Sequence, residues 1–383
     1  MNLFGNRNRV QIAPGGRRLS KSERALQARI DAAYETVTGP VMYTPAGTPT
    51  GYAAAISDAY AQIPTGGHRV TVMNPKGGVG KTITAAAIAH HLAENRGEVV
   101  AVMDGNLHTG TLRRRLVAAD AAPKWPMLEL VEQIKVGTAC PEWGWLGAWY
   151  DYVGRLRVFS NANADPSLVE SMPGDDYRMV LDLLSRAAQV VVQDMGTSIT
   201  GEAAQAALAG TDTLVLATDL TQDTLEMTVE LVTALAGNPQ TYSAEPTDYT
   251  ALADGRYADL ATSAIIVVGP SRDEDRDPVD LAPLLDWLRA ACGAVVLVGR
   301  DQHLATGDLI DWAKVDPTVT LAHLEVTGHV AARFPNPPRA ARVGDYPGLP
   351  RYGLDSPDQY DARNEAAGIE DTRFAADEGI WTP

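Results

Sequence analysis

The residues with the clearest chemical potential form a glycine-rich loop between two apolar segments. The short run Val70–Met73 reads as a buried strand, the loop runs from Pro75 to Thr82 with the sequence PKGGVGKT, and an Ala/Ile/Leu-rich helix follows. Glycines let successive backbone N–H groups turn inward without a Cβ clash, and the start of the helix adds partial positive charge. This strand, loop and helix context predicts a phosphate-binding loop. The alternative is a glycine-rich turn that binds nothing.

Two side chains at the end of this loop suit a nucleoside triphosphate and its metal ion. Lys81 would reach the β- and γ-phosphates, and the hydroxyl of Thr82 would hold Mg²⁺. The remaining cradle would be formed by main-chain amides of Gly77, Gly78, Val79 and Gly80. The sequence therefore predicts nucleotide binding at this loop.

A lysine inside the loop makes the pattern more specific. Pro75 stands where such loops usually begin with glycine, and Lys76 follows it. The resulting sequence KGGVGKT resembles the deviant Walker A loop of the ParA/MinD family of P-loop ATPases (SIMIBI class). The resemblance implies ATP and Mg²⁺ as cofactors and a homodimer in the ATP-bound state. It also implies that Lys76 reaches across the dimer interface to the partner's nucleotide.

Two acids stand at the ends of predicted buried strands, where open α/β sheets place ligands. Asp104 follows Val99–Met103, and Asp194 ends a strand that begins at Gln189. The family resemblance implies that Asp104 lies in switch I and in the Mg²⁺ shell. It implies that Asp194 binds Mg²⁺ through water, and that the N–H of Gly196 senses the γ-phosphate in switch II. Capping of a turn or helix is the alternative role for both acids.

The switch I segment departs from the usual family pattern Asp-x-Asp, because Asn106 occupies the second position. Asparagine can hold a water molecule but cannot take its proton. Phosphoryl transfer depends mostly on positioning and charge stabilisation, so we expect slow ATP hydrolysis with Asn106 positioning the water. His108 could substitute as a base or could simply be exposed. A nucleotide-binding scaffold with little or no hydrolysis is the alternative.

Two further segments have roles that the residues leave open. Asp104–Leu116 is similar to the switch segment of MinD-like ATPases of high-GC bacteria, some of them associated with type VII secretion. Its arginines, Arg113–Arg115, either form a solvated surface or contact a dimer partner, DNA or a client protein. The resemblance also implies that Asp301 lies in a loop near the nucleotide base. The asparagine that reads adenine in this family has no counterpart, since Gly269-Pro270-Ser271 stand at that position.

These residues require a scaffold of alternating buried strands and helices. We predict an α/β fold with a doubly wound, mainly parallel sheet in three αβα layers. The predicted strands are 70–73, 99–103, 156–159, 189–194, 213–218, 264–269 and 294–298. The predicted helices after the loop helix include 125–137, 177–188, 203–209, 224–235, 281–291 and 318–334. We interpret the Trp-rich residues 138–154 as an insertion packed on the body, or else as a docking patch, and 237–262 as a surface insertion.

Composition divides the 383-residue chain into three parts and limits its class. Residues 1–66 read as a basic arm, one helix and a linker, 67–334 as the ATPase domain, and 335–383 as a Pro-rich and then acidic tail without its own core. No apolar run is long enough to cross a bilayer, and the acidic tail lacks the basic amphipathic helix of MinD. The two cysteines, Cys140 and Cys292, have no metal-site spacing, which indicates a reduced, cytoplasmic location.

The expected function is that of a MinD/ParA-like ATPase. It would act as an ATP-dependent dimer switch for intracellular positioning or secretion, with an unidentified protein partner or cargo. A plasmid or chromosome partition ATPase that binds nonspecific DNA is the alternative. The basic arm favours DNA binding, and the net charge of −16 opposes it.

Overall fold

The computed structural model describes residues 67–95, 99–106, 110–161, 172–241, 248–271 and 281–334. The predictions made for the arm, the tail and His108 concern residues outside these ranges. The described strands are β1 (His68–Met73), β2 (Val100–Gly105), β3 (Tyr150–Val153), β4 (Leu156–Phe159), β5 (Val190–Met195), β6 (Thr213–Asp219), β7 (Ile265–Gly269) and β8 (Ala294–Leu297).

These strands form one eight-stranded sheet in the order β3-β4-β2-β5-β1-β6-β7-β8. Every neighbouring pair is parallel except β3 and β4, which are antiparallel. The chain passes from β1 outward to β2 on one side, and from β5 across β1 to β6 on the other. The connections therefore change direction next to β1, and open sheets of this kind bind ligands at such a point. The predicted mainly parallel sheet is confirmed.

Helices cover both faces of the sheet. They are α1 (Lys81–His90), α2 (Leu112–Leu116), α3 (Glu129–Lys135), α4 (Trp143–Leu146), α5 (Gly174–Ala187), α6 (Glu202–Ala209), α7 (Gln222–Leu235), α8 (Ala258–Thr262), α9 (Ala282–Ala291), α10 (Gln302–Ala305) and α11 (Pro317–Ala331). A π-helical turn, His91–Asn95, continues α1, and short 3₁₀ turns lie at Thr250–Leu252 and Trp312–Lys314.

The period of two along each strand sends alternate side chains into two separate cores. Val70 and Val72 of β1 pack into the core that contains Ile88 of α1. Val191 of β5 belongs to the core on the opposite face, together with Leu181 of α5. Each fully buried side chain of this size contributes about 1.5–3 kcal/mol. Both faces are apolar, which explains why the sequence shows continuous apolar runs rather than alternation.

Two segments differ in detail from the sequence-based expectation. The Trp-rich segment packs on the body as expected, with Trp145 and Trp149 stacked at 4.6 Å, and it also supplies the antiparallel edge strand β3. The surface-insertion interpretation of 237–262 is wrong for its second half, because Leu252 and Tyr257 are buried. Here α8 packs against α7 and β6. The few apolar residues of this segment stand among many polar ones, which hides their periodicity.

Candidate functional site

The loop after β1 has the backbone conformation that its glycines permit. Gly78 and Gly80 adopt positive φ angles of 80° and 92°, a region that strains residues with a Cβ. Asn74 holds the entry to the loop, since its Oδ1 accepts a hydrogen bond from the N–H of Lys76 at 2.8 Å. Its Nδ2 donates to Oγ1 of Thr228 on α7 at 3.2 Å. The loop is therefore braced from the sheet before α1 begins at Lys81.

Lys81 is buried at the start of α1 and turns back over the loop. Its Nζ donates a hydrogen bond to the carbonyl oxygen of Lys76 at 2.6 Å. Burial lowers the pKa of Lys81 to about 8, and the charge of Asp194 opposes this shift. The amine thus keeps its proton at neutral pH and presents a positive charge to the loop. The side chain of Lys76, in contrast, is exposed at the outer edge.

The two strand-end acids are neighbours, because β2 and β5 pair with Asp104 opposite Asp194. Asp194 is buried, and its Oδ1 has no hydrogen-bond partner among the described residues. Burial raises the pKa of Asp194 to about 6, while a hydrogen bond from Thr82 and the charge of Lys81 lower it. The hydroxyl of Thr82 also lies 3.5 Å from that of Thr111.

This arrangement fits a divalent cation. Mg²⁺ takes oxygen ligands, and here a hydroxyl and an unsatisfied buried carboxylate oxygen lie side by side at Thr82 and Asp194. A bound cation would also remove the penalty that burial imposes on the charged carboxylate. The structure thus brings together two of the three predicted Mg²⁺ residues at one point.

Asp104 lies beside this pair but faces the backbone. Its Oδ1 accepts a hydrogen bond from the N–H of Asn106 at 3.1 Å, and the N–H of Leu112 is a second donor to the carboxylate. Burial raises the pKa of Asp104 well above its usual range, and the charge of Asp194 adds to this effect. A Cβ at Gly110 would overlap this carboxylate, so a larger residue there would displace the Asp104 side chain. Asp104 therefore holds the backbone at Asn106 and Leu112.

The predicted switch residues Asn106 and Gly196 also meet. A Cβ built on Gly196 would lie 3.2 Å from Oδ1 of Asn106. Both residues line a cavity of about 920 Å³ that opens above the loop, a size typical of small-molecule sites. One wall consists of residues 77–84, and the switch wall consists of Asn106, Thr111, Arg114, Arg115 and 194–197. The far wall consists of Val267, 269–271, 298–301, Leu304, Ala305, Gly307 and His323.

Comparison with known proteins agrees with this geometry. Residues 70–199 match the CobQ/CobB/MinD/ParA nucleotide binding domain (CbiA). The matched segment contains the loop, both strand-end acids and Asn106, so the part of the chain that forms one side of the cavity is the part that resembles a nucleotide-binding domain. No match was found among curated proteins.

Two solved structures were compared with this chain, and the first of them supports the fold. The ParA family ATPase from Chlorobium tepidum TLS is 12% identical, with a TM-score of 0.50, over 70% of this chain and 98% of that one. The MinD cell division ATPase of Pyrococcus furiosus is 16% identical, with a TM-score of 0.49, over 68% of this chain and 98% of that one. At 12% identity the similarity to the Chlorobium tepidum protein concerns the arrangement of the sheet and helices alone.

Asp301 lies in the far wall with both carboxylate oxygens occupied. One oxygen accepts from the N–H of Leu304 at 2.7 Å and so caps α10, and the other accepts from the N–H of Asp316 at 2.6 Å. Next to it, the buried His323 of α11 has an Nδ1 without a hydrogen-bond partner in the described part of the chain. The sequence analysis missed His323, since one histidine in an apolar helix carries no local signal.

The burial of His323 predicts a specific acid sensitivity. Burial lowers its pKa to about 4, although Asp301 opposes the shift. Between pH 6.5 and 4 the unfolded chain therefore binds more protons than the folded chain, and stability is lost as the pH falls through this window. Relative to His323→Gln, the parent should lose about 2 kcal/mol of unfolding free energy between pH 7 and pH 5. Urea denaturation of both proteins at both pH values measures this. Parallel pH dependences would contradict the assignment.

Within the run Arg113–Arg115 only Arg114 is exposed, and the other two arginines contact the fold. Arg113 binds Asp151 of β3 through two hydrogen bonds of 2.8 and 3.2 Å, and Arg115 is buried. Within the described ranges, no helix has the length and apolar character needed to cross a bilayer.

Proposed function

We propose that this protein is a MinD/ParA-like ATPase in which ATP and Mg²⁺ control the association of two copies. The observation that carries the proposal is the convergence of three features on one cavity. They are the braced glycine loop, the buried Lys81 amine, and the Thr82–Asp194 pair with its unsatisfied oxygen. Each feature recognises a different part of a magnesium nucleotide.

The chain's own groups would act as follows. Loop amides bind the phosphate oxygens, and Lys81 exchanges its bond to the Lys76 carbonyl for a phosphate oxygen. Thr82 and Asp194 would hold Mg²⁺, which neutralises charge that develops on the transferred phosphoryl group. Asn106 would position the attacking water through its side-chain amide, next to the N–H of Gly196. Asp104 keeps the switch I backbone in place for this contact.

The exposed position of Lys76 on the loop supports the proposal that two copies associate. The N–H of Lys76 is fixed by Asn74 while its side chain is exposed, so the amine can reach beyond its own subunit. A lysine that completes the partner's phosphate site would make association depend on the bound nucleotide. Hydrolysis would then remove that contact and release the dimer.

Removing the Lys76 side chain should preserve ATP binding but prevent the association of two copies. Lys76→Ala should bind ATP with an affinity within about threefold of the parent's, because the Lys76 amine does not contact the cavity of its own subunit. We expect the variant to remain a monomer with ATP and to lose at least about tenfold in turnover. Light scattering after size-exclusion chromatography with ATP, ADP and no nucleotide measures mass, and phosphate release measures turnover.

The matched control is Lys314→Ala, which removes an exposed lysine paired with Asp311 at 3.1 Å. This control should dimerise and turn over as the parent does. Normal dimerisation and turnover in Lys76→Ala would refute the role across the dimer. A parent that dimerises with ATP but releases no phosphate would favour the scaffold alternative.

The biological output of the switch is proposed to be intracellular positioning or secretion through a protein partner. Two of the three arginines in the run Arg113–Arg115 are engaged within the fold, because Arg113 pairs with Asp151 and Arg115 donates to the carbonyl of Leu304, and this reduces the support for DNA binding. The net charge of −16 opposes it further. ATP-dependent, salt-sensitive retention on nonspecific DNA would instead favour the partition alternative.

A further inference from the structure

The three consecutive arginines of α2 point in three directions, as helix geometry requires. Arg113 is anchored on Asp151 of β3. Arg115 donates from Nη2 to the carbonyl of Leu304 at 2.8 Å, across the cavity from the loop. Arg114 lies between them, is exposed, and lines the cavity. Two of these side chains brace the helix, and this bracing sets the position of the third.

Arg114 and Arg115 bring two positive charges to one point of the cavity wall. Nη2 of Arg114 and Nη1 of Arg115 lie 3.9 and 4.0 Å from the position that a Cβ on Gly307 would take. Nη1 of Arg115 is buried and has no hydrogen-bond partner in the described ranges. Burial lowers the pKa of Arg115, Arg114 lowers it further, and Asp308 is the acid that opposes them.

This pair of arginines is energetically unfavourable while no anion is bound to it. A buried guanidinium N–H without an acceptor loses its hydration, and a second guanidinium nearby adds repulsion. Among the described residues, neither arginine forms an ion pair within 4.0 Å. An anion with several oxygens would satisfy both groups, and guanidinium groups suit phosphate oxygens in particular.

We propose that Arg114 and Arg115 form an anion subsite that binds phosphate oxygens of the nucleotide in the same cavity. This inference rests on the proposed function. The helix α2, which carries both arginines, follows directly on Thr111. The hydroxyl of Thr111 is 3.5 Å from that of Thr82 in the loop, so the proposed subsite lies close to the loop. The N–H of Arg115 donates to the carbonyl of Thr111 at 3.1 Å, so the arginine lies one helical turn from the proposed Mg²⁺ residue.

The subsite would give the cavity a second cationic group in addition to Lys81. This matters for a switch I segment in which Asn106 cannot accept a proton, because turnover then relies on positioning and charge stabilisation. The subsite is supplied by the same subunit that holds the nucleotide. It therefore works independently of Lys76 from the partner.

The test uses the full chain and calorimetric titrations with Mg·ATP and with adenosine at constant ionic strength. Arg114→Gln should weaken Mg·ATP binding about tenfold and leave adenosine binding unchanged. Arg114→Lys should recover part of the loss, since it restores the charge without the planar fork. Arg178→Gln, which removes an exposed arginine paired with Asp175 on α5, is the matched control and should bind as the parent does.

The possible outcomes separate this inference from the proposed function. A parent that binds Mg·ATP, with Arg114→Gln binding it equally tightly, would overturn the subsite alone. Binding of inorganic phosphate to the ATP-saturated parent, lost in Arg114→Gln, would show a separate anion site and also overturn it. A parent that binds no ATP would refute the proposed function, and this inference with it.

Discussion

Replacing Lys81 with alanine should weaken Mg·ATP binding by about 100-fold. The amine is buried at the head of α1 and directed over the loop by its 2.6 Å bond to the Lys76 carbonyl. A charge-assisted contact to phosphate contributes up to about 3 kcal/mol, and that energy corresponds to a factor of about 100 in affinity. Calorimetric titration of parent and variant with Mg·ATP measures the change.

The matched control is Lys135→Ala, which removes the same charge from a surface lysine paired with Asp176 at 3.0 Å. This control should keep the parent's affinity. Because Lys81 lies near the buried Asp194, its removal can also change stability. Thermal unfolding of both variants therefore shows whether they are folded. Parent-like affinity in a folded Lys81→Ala protein would contradict the assignment of the phosphate site.

Asp194→Asn should raise the Mg²⁺ concentration needed for half-maximal turnover by about 10–100-fold. The carboxylate lies beside Thr82, its Oδ1 has no hydrogen-bond partner among the described residues, and a neutral amide is a poor ligand for Mg²⁺. Burial raises the pKa of Asp194 to about 6, so the apo protein already bears a cost for this charge. The variant should therefore unfold at no lower temperature than the parent.

Asp219→Asn is the control for this experiment, because Asp219 also ends a strand of the same sheet but hydrogen-bonds to Thr221 at 2.7 Å. Phosphate release measured across a Mg²⁺ titration compares the three proteins. An unchanged Mg²⁺ requirement in Asp194→Asn would exclude this carboxylate from the metal site.

Local patterns were sufficient to predict one wall of the site. The loop is one continuous segment, and Asp104 and Asp194 end two apolar runs whose pairing in a parallel sheet puts them side by side. The strand–loop–helix order and the rule that ligands bind at the ends of parallel strands therefore predict where these residues lie in the fold. The side-chain direction of Asp104 was beyond such rules, since it depends on the amides of Asn106 and Leu112.

The far wall of the cavity and the position of Arg115 depend on contacts between distant segments. Arg115 meets Leu304 across 189 positions of sequence, and His323 reaches the cavity from the last described helix. Nothing in the immediate surroundings of either residue predicts such a contact. The strand β3 was missed for a different reason, because four residues that include the polar Asp151 carry too weak a pattern for an edge strand.

The most direct test of the central claim is a calorimetric titration of the intact parent protein with ATP, with and without Mg²⁺. We predict one Mg·ATP per chain, with binding weakened when Mg²⁺ is omitted and weakened about 100-fold in Lys81→Ala. Absence of binding by the folded parent, or binding indifferent to both Mg²⁺ and Lys81, would contradict the claim that the cavity above the 76–82 loop holds a magnesium nucleotide.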